Sequence, residues 1–227
     1  MIPKAWLRLA ASVVETYLRA TSRSIKLQIL SDDGTIHSRS DINAIAAESS
    51  PMLFLFWNAH SLLFLSSYLS SPELASVGTR FEAVADDSPG GLLSQILFSR
   101  IGLETRRLRF RSIEDRLDDL RLLLEAKPSL VMAADSHGPY RSISPGMARL
   151  ARSYSDGVRP ISLVCNRRIA IFPRIGMAVP LRGATILLNI GKPIGRCASI
   201  ADTRIALQSS LIALESQSIA LLVNHRN

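Results

Sequence analysis

An uninterrupted apolar run at residues 52–57 constrains the fold of this chain more than any other feature. The run ends at Asn58 and His60, and a second apolar segment at residues 62–69 has the length and composition of a helix. The pattern predicts a buried central strand that leads directly into a helix. Ligands of open α/β sheets bind at the carboxyl ends of strands, so His60 is either a site residue or a histidine that makes one structural hydrogen bond.

Strands and helices alternate along most of the chain, which predicts an α/β architecture. The predicted strands are residues 25–30, 52–57, 81–85, 103–110, 129–134 and 160–165. The predicted helices between them are residues 38–48, 62–69, 92–101, 112–126 and 145–154. Three further strand candidates follow, at residues 169–172, 175–180 and 185–190. This strand-rich end indicates a mixed, mostly parallel sheet flanked by helices.

The length of 227 residues suits one domain, and we expect residues 1–227 to form it. Its predicted parts are an amphipathic helix within residues 1–23, a core at residues 24–195 and a terminal helix at residues 199–223. The first helix combines apolar residues at helical spacing with a basic side, and Trp6 lies near its start. This pattern suits either the surface of an anionic membrane or packing against the body of the domain.

The charge balance favours an anionic partner. The net charge is +8, and 23 of the 27 basic residues are Arg, which pairs well with phosphates and carboxylates. The basic residues are dispersed and aromatic residues are few, which argues against a nucleic-acid groove. The two cysteines, Cys165 and Cys197, show neither metal-ligand spacing nor a disulfide framework, so we expect a reducing, cytoplasmic compartment. The four histidines show no zinc spacing, and we expect no metal site.

Polar residues with catalytic and anion-binding potential follow several of the predicted strands. They are Asn58 and His60; Asp86 and Asp87; Asp135, His137 and Arg141; and Arg106, Arg107, Arg109 and Arg111. Parallel strands would bring these groups to one edge of the sheet, as a candidate base beside carboxylates and phosphate-binding groups. The chain has neither a G-x-S-x-G serine elbow nor a G-x-x-x-x-G-K phosphate loop.

The order of these blocks resembles the lysophospholipid acyltransferase superfamily, and specifically a bacterial branch of unknown function. The resemblance rests on Trp57 followed by His60, on the "DSHGP" turn, and on the "SPGMARLARS" and "VRPISLV" segments that come after it. It covers about residues 10–195.

Matched to the family's blocks, His60 takes the place of the catalytic histidine, but Leu65 stands where the His-x4-Asp motif has its aspartate. Asp86 and Asp87 match the Asp-Gly loop. Arg107 matches the arginine of an Arg-Gly-Ser block whose glycine is Leu108 here.

The last family block is an Asp-Gly-Pro-Arg-Gly-Pro sequence. Asp135 matches its acidic residue, and Gly138 and Pro139 match its closing Gly-Pro, whereas Ser136 and His137 replace its first Gly-Pro. The glycine that opens the next helix in the family corresponds to Gly146, which follows this block.

The resemblance implies transfer of an acyl group from acyl-CoA or acyl carrier protein to the hydroxyl of a lysophospholipid or related lipid. A hydroxyl needs a base within hydrogen-bond reach, and an imidazole accepts a proton near neutral pH. The implied catalytic residues are His60 and Asp135. The implied substrate-binding residues are Asn58, Asp86, Asp87, Arg107, Gly138, Pro139 and Arg141. Because Leu65 replaces the motif aspartate, either another carboxylate approaches His60 or the rate suffers, and Asp135 and Asp86 are the candidate carboxylates.

Two functions remain open on this basis. The first is an acyltransferase that is peripheral on the inner face of the cell membrane, with an anionic lipid surface and an acyl carrier protein as partners. The second is a non-catalytic lipid-binding protein on the same fold, because Leu65 and the pair Ser136 and His137 depart from the family's motifs.

Overall fold

Ten strands and five α-helices make up the part of the chain that the computed structural model describes, namely residues 4–30, 36–37, 51–72, 74, 81–108, 119, 122, 125, 129–135, 140–154, 158–172 and 177–224. The strands are β1 (Lys26–Leu30), β2 (Ile36–His37), β3 (Leu53–Phe56), β4 (Phe81–Asp86), β5 (Thr105–Leu108), β6 (Ser129–Ala133), β7 (Val158–Cys165), β8 (Arg168–Phe172), β9 (Met177–Pro180) and β10 (Thr185–Ile190). The helices are α1 (Lys4–Ser22), α2 (Ser61–Ser70), α3 (Pro89–Arg100), α4 (Pro145–Ser153) and α5 (Ile200–Asn224). A single 3-10 turn, Asn58–His60, lies between β3 and α2.

The sheet is mixed and mostly parallel, as the sequence predicts. Its eight strands run in the order β2-β1-β10-β7-β3-β6-β4-β5. The five strands from β7 to β5 are parallel neighbours, and antiparallel pairing occurs between β10 and β7 and between β1 and β2. Strands β8 and β9 form a separate antiparallel hairpin.

Side chains of β3 alternate between two apolar layers. Phe54 and Phe56 pack into a layer shared with α1, α2 and α3, whereas Leu53 and Leu55 pack into a layer shared with α4 and α5. Burial on both faces explains why the run at residues 52–57 is apolar throughout and why β3 is central.

Two helix starts show how the local sequence positions the helices beside the strand ends. The Ser88 hydroxyl accepts a hydrogen bond from the Gly91 N–H, and the Ser144 hydroxyl accepts one from the Met147 N–H. In each case a proline follows the capping serine, where its missing N–H costs nothing. The first-turn position expected for Pro145 is confirmed.

Helix α5 covers the face of the sheet formed by β7 and β10. Its length and composition alone would suffice to cross a membrane. In the structure, Leu207 and Leu211 are buried against α4 and the sheet, so this side of α5 belongs to the protein core.

Most predicted elements are found, with ends that differ by a few residues. The strand predicted at residues 103–110 is described from Thr105 to Leu108, and the one predicted at residues 160–165 begins earlier, at Val158. The helices predicted at residues 38–48 and 112–126 lie outside the described residues, apart from three isolated positions in the second.

Candidate functional site

The polar ends of β3, β6 and β4 lie side by side, because these three strands are parallel neighbours. Asn58 follows β3, Asp86 ends β4, and Asp135 follows β6. A hydrogen bond joins two of these ends directly, since the Asn58 N–H donates to Oδ1 of Asp135 over 2.7 Å. The polar ends of β3 and β6 are therefore in direct contact.

Asp135 organises two chain segments through its carboxylate. Oδ1 accepts the Asn58 N–H, and Oδ2 accepts the Arg141 N–H over 3.0 Å. The residue is buried, and both oxygens are used on backbone donors. Asp135 thus ties the end of β3 to the segment that carries Arg141, and its predicted catalytic role stays a prediction.

Arg141 adopts a backbone conformation that is rare for a residue with a side chain. Its φ is 61°, in the left-handed region, and the bond from its N–H to Asp135 helps to hold it there. The side chain of Arg141 forms an ion pair, with Nη2 lying 2.7 Å from Oε2 of Glu215. The guanidinium carbon also lies 5.0 Å from the centre of the Tyr140 ring, within the range of a cation–π contact.

His60 lies between the main sheet and α5. Its Nε2 is 3.4 Å from Oε1 of Glu215, and its Nδ1 accepts the Leu163 N–H over 3.4 Å. Pairing of β3 with β7 ends at Leu55 and Pro160, so Leu163 lies beyond it, and His60 supplies an acceptor there. In the neutral ring this arrangement places the proton on Nε2, facing Glu215, and the lone pair on Nδ1. The side chain is buried, with His60 only 4% exposed.

Glu215 holds a negative charge between two cationic or potentially cationic groups. Its burial raises the pKa of the carboxyl, but hydrogen bonding and charge attraction from His60 and then from Arg141 outweigh burial and leave the pKa below its ordinary value. The same carboxylate acts on Arg141, where burial lowers the pKa of the guanidinium and the pairing with Glu215 raises it above its ordinary value. Arg141, Glu215 and His60 therefore form one charge-linked chain.

The carboxylate beside His60 is neither of the two that the sequence offered. Asp135 is engaged by backbone N–H groups of Asn58 and Arg141, and Asp86 accepts the Ser88 N–H over 2.7 Å. Among the described residues the carboxylate paired with His60 is that of Glu215. The expectation that Asp135 or Asp86 supports His60 is therefore wrong. The carboxylate beside the ring belongs to Glu215 of α5, a helix, and not to a residue at a strand end.

The sequence contains a signal for Glu215, although the family's motifs do not include this residue. Glu215 is the only charged residue from Ile205 to Asn224, and it lies on the side of α5 that buries Leu207, Leu211 and Ser218. A carboxylate on the buried side of a helix requires a partner. That requirement marks Glu215 as a candidate site residue.

The loop after β4 is built closely around Asp86. The Gln95 side chain donates to the Asp86 carbonyl over 2.9 Å, and a Cβ at Gly91 would overlap the Asp86 carboxylate and carbonyl. A glycine is therefore required at this approach of α3 to the strand end. Asp87 lies in the same loop and is half-buried.

The remaining predicted site residues are less closely associated with His60. Arg106 pairs with Glu82, and Arg107 is exposed on β5, the strand at the outer edge of the sheet. Asn58 accepts a hydrogen bond from the Ser61 hydroxyl through its side-chain oxygen, over 3.1 Å. Several candidates lie outside the described residues, namely Ser136, His137, Gly138, Pro139, Arg109 and Arg111.

The described residues contain no group of three or more histidine, cysteine or acidic side chains that could hold a metal ion. Neither Cys165, which is buried, nor Cys197, which is partly exposed, forms a disulfide among the described residues. The described side chains at and beside the strand ends include the imidazole of His60, the guanidinium of Arg141 and the carboxylates of Asp86, Asp135 and Glu215.

Several solved structures are similar to this chain in overall structure. The crystal structure of the 1-acyl-sn-glycerophosphate acyltransferase PlsC from Thermotoga maritima matches with a TM-score of 0.49 and 12% identity, over 94% of this chain and 83% of that one. No protein-family model and no curated protein matches the sequence.

Proposed function

We propose that this protein transfers a fatty acyl group from an acyl thioester to the hydroxyl of a lysophospholipid or related lipid, with His60 as the general base. The observation that carries the proposal is the buried pair of His60 and Glu215, with its ring nitrogen and carboxylate oxygen 3.4 Å apart, at the carboxyl end of a central parallel strand. A base oriented by a carboxylate is the arrangement that activates a hydroxyl. The motif order around Trp57, His60 and Asp135 supports the same reaction.

In the proposed step, the lipid hydroxyl attacks the thioester carbonyl while Nδ1 of His60 takes the hydroxyl proton. The carbonyl becomes a tetrahedral oxyanion, which collapses to the ester and expels the thiolate. The proton on the imidazolium then passes to that thiolate. Glu215 holds the Nε2 proton and stabilises the imidazolium charge, the role that the missing motif aspartate would have at position 65.

Access to Nδ1 requires the substrate to replace a weak contact. The hydrogen bond from the Leu163 N–H is 3.4 Å long, beyond the common range of about 2.7–3.2 Å. A hydroxyl that approaches Nδ1 therefore competes with a long bond rather than an optimal one. Because His60 is almost fully buried, local opening around the 3-10 turn must precede the reaction.

The phosphate of the acceptor lipid is assigned to Arg141. Its guanidinium engages Glu215 through Nη2, and the side chain is 39% exposed, so N–H donors on its exposed part remain for an anion. Arg107, exposed on the edge strand, is a second candidate for phosphate on the acceptor or on the donor, whether acyl-CoA or acyl carrier protein.

The proposed place of action is the inner face of the cell membrane. Trp6, Leu9 and Val13 are exposed on α1, and Arg8 and Arg19 on the same helix are exposed as well. Apolar and basic side chains on one surface helix suit an anionic lipid surface.

The test is an acyl-transfer assay with purified full-length protein. Long-chain acyl-CoA and acyl-acyl carrier protein are offered with a panel of lysophospholipids, and the esterified product is measured by mass spectrometry. The expected result is product with at least one donor and acceptor pair, and its loss in His60→Ala. Unchanged turnover in His60→Ala would overturn the assignment of the base.

A second candidate function is a lipid-binding protein without catalysis. The observation that favours it is the burial of His60 with both ring nitrogens in contact with protein groups. Binding of lysophospholipid without acyl transfer from any donor, in wild type and His60→Ala alike, would select this second function.

A further inference from the structure

The β8–β9 hairpin exposes apolar side chains in a part of the chain that lacks negative charge. Ile169 is 53% exposed and Ile171 is 38% exposed. Residues 157–201 contain seven basic residues and no acidic one. Exposed Arg167, Arg168 and Arg182 lie at the open end of the hairpin, where the start of β8 pairs with the end of β9.

The hairpin adjoins the exposed side of α1. The Tyr17 hydroxyl donates to the Pro180 carbonyl over 2.9 Å, and the Gly183 N–H donates to the Ser24 hydroxyl over 3.0 Å. Tyr17 lies one helical turn beyond Val13, the last residue of the exposed stripe on α1. The two bonds therefore join the open end of the hairpin to the C-terminal half of α1 and the residues just after it.

We propose that the β8–β9 hairpin is a second membrane-contacting element, which inserts Ile169 and Ile171 among the lipids while its arginines bind anionic headgroups. The inference extends the proposed function, since it names the surface from which a lipid acceptor reaches the site. Charge complementarity supports the proposal, because all charged residues of the stretch 157–201 are basic and an anionic bilayer attracts them. The spread of apolar groups over two separate elements fits an extended lipid plane better than the surface of a small acidic carrier protein.

The hairpin also lies beside the catalytic candidate. Strand β9 packs against α2 and against the 3-10 turn Asn58–His60. A lipid held at the hairpin is therefore close to the turn that carries His60. The exposed isoleucines of α5, Ile212 and Ile219, lie on a helix that packs against the other face of the sheet.

The experiment measures sedimentation of the full-length protein with vesicles of phosphatidylglycerol and phosphatidylcholine, and with vesicles of phosphatidylcholine alone. We expect Ile169→Ser/Ile171→Ser to bind the anionic vesicles about tenfold more weakly than wild type, since two apolar side chains no longer leave water. The matched control is Ile212→Ser/Ile219→Ser on α5, whose isoleucines are similarly exposed and which should bind as wild type does. Equal binding by the hairpin variant and wild type would overturn the proposal.

A second measurement covers the case in which the hairpin variant does not fold. A fluorophore attached at Ile171→Cys, in a Cys197→Ser background, should shift to the blue on anionic vesicles, and Cys165 is buried. An unshifted spectrum would count against insertion. Binding of acidic acyl carrier protein that depends on Ile169 and Ile171, without binding to vesicles, would also overturn it.

Failure of this inference can be separated from failure of the proposed function. Vesicle binding needs no turnover, so His60→Ala should sediment like wild type even when it transfers no acyl group. Conversely, Ile169→Ser/Ile171→Ser should keep acyl transfer to a dispersed, short-chain acceptor and lose it to a vesicle-borne one.

Discussion

Nε2 of His60 lies 3.4 Å from Oε1 of Glu215, a residue of the last helix, and this pairing places a carboxylate beside the imidazole although the adjacent motif position is Leu65. The relationship assigns to α5 a role in the site as well as in the core.

Replacement of His60 should abolish acyl transfer while preserving the fold in the milder variant. His60→Ala removes the base, and we expect a fall of about 10²–10⁴ in rate. His60→Gln retains an acceptor for the Leu163 N–H and should be equally inactive but closer to wild type in thermal stability. Activity retained by His60→Gln would show that the hydrogen bond to Leu163, and not proton transfer, is what the histidine supplies.

Glu215→Gln should lower kcat by about 10²-fold, because the amide no longer stabilises an imidazolium or holds the ring in one tautomer. KM should change less than kcat, since Glu215 does not contact the substrate in the proposed step. Steady-state kinetics separate the two constants. The control is Glu104→Gln, which changes an exposed carboxylate just before β5 and should match wild type. A change confined to KM would contradict the supporting role of Glu215.

The pH dependence of stability should reveal the charge of Glu215. Its pKa is below the ordinary 4.5 in the folded state, so its ionised form stabilises the fold fully above about pH 4.5. That contribution disappears as the pH falls from 4.5 through the folded-state pKa. Denaturant unfolding of wild type and Glu215→Gln should therefore give free energies that differ most near neutral pH and converge in acid. A difference that is constant across this range would exclude the linkage.

Asp135→Asn should destabilise the protein by about 1–3 kcal/mol, because an amide has one oxygen to accept what the carboxylate accepts with two. One of the N–H groups of Asn58 and Arg141 is then left without its acceptor. Urea unfolding measures the loss. Unchanged stability with lost activity would instead support the catalytic role predicted for Asp135.

The first turn of α3 offers a matched pair of glycines, Gly90 and Gly91. Gly91→Ala should destabilise the fold by about 1–3 kcal/mol, because the new methyl group overlaps Asp86. Gly90→Ala should be harmless, since the nearest group to its Cβ is the Ser88 hydroxyl at 3.9 Å. Thermal unfolding of the two variants compares them directly. Equal stability would mean that the approach of α3 to Asp86 is not as tight as described.

Features encoded locally could be predicted, and features that depend on packing between distant segments could not. The strand at residues 52–57 could be predicted from the apolar run alone, because a strand buried on both faces is apolar throughout. The position of His60 just after the end of this strand could be predicted with it. Glu215 is brought to His60 only when α5 packs across β7, and no local pattern contains that contact. Arg106 pairs with Glu82 and not with a group of the site, and this pairing likewise depends on the register of β5 with β4.

The β8–β9 hairpin shares no backbone ladder with the eight-stranded sheet among the described strands. Tilting it would break side-chain packing around residues such as Ala178, but it would leave the main sheet intact. The element that packs against the turn of His60 is thus also one whose displacement costs little backbone hydrogen bonding. A displacement of the hairpin would therefore reach the turn that carries His60 and leave the backbone hydrogen bonds of the eight-stranded sheet unchanged.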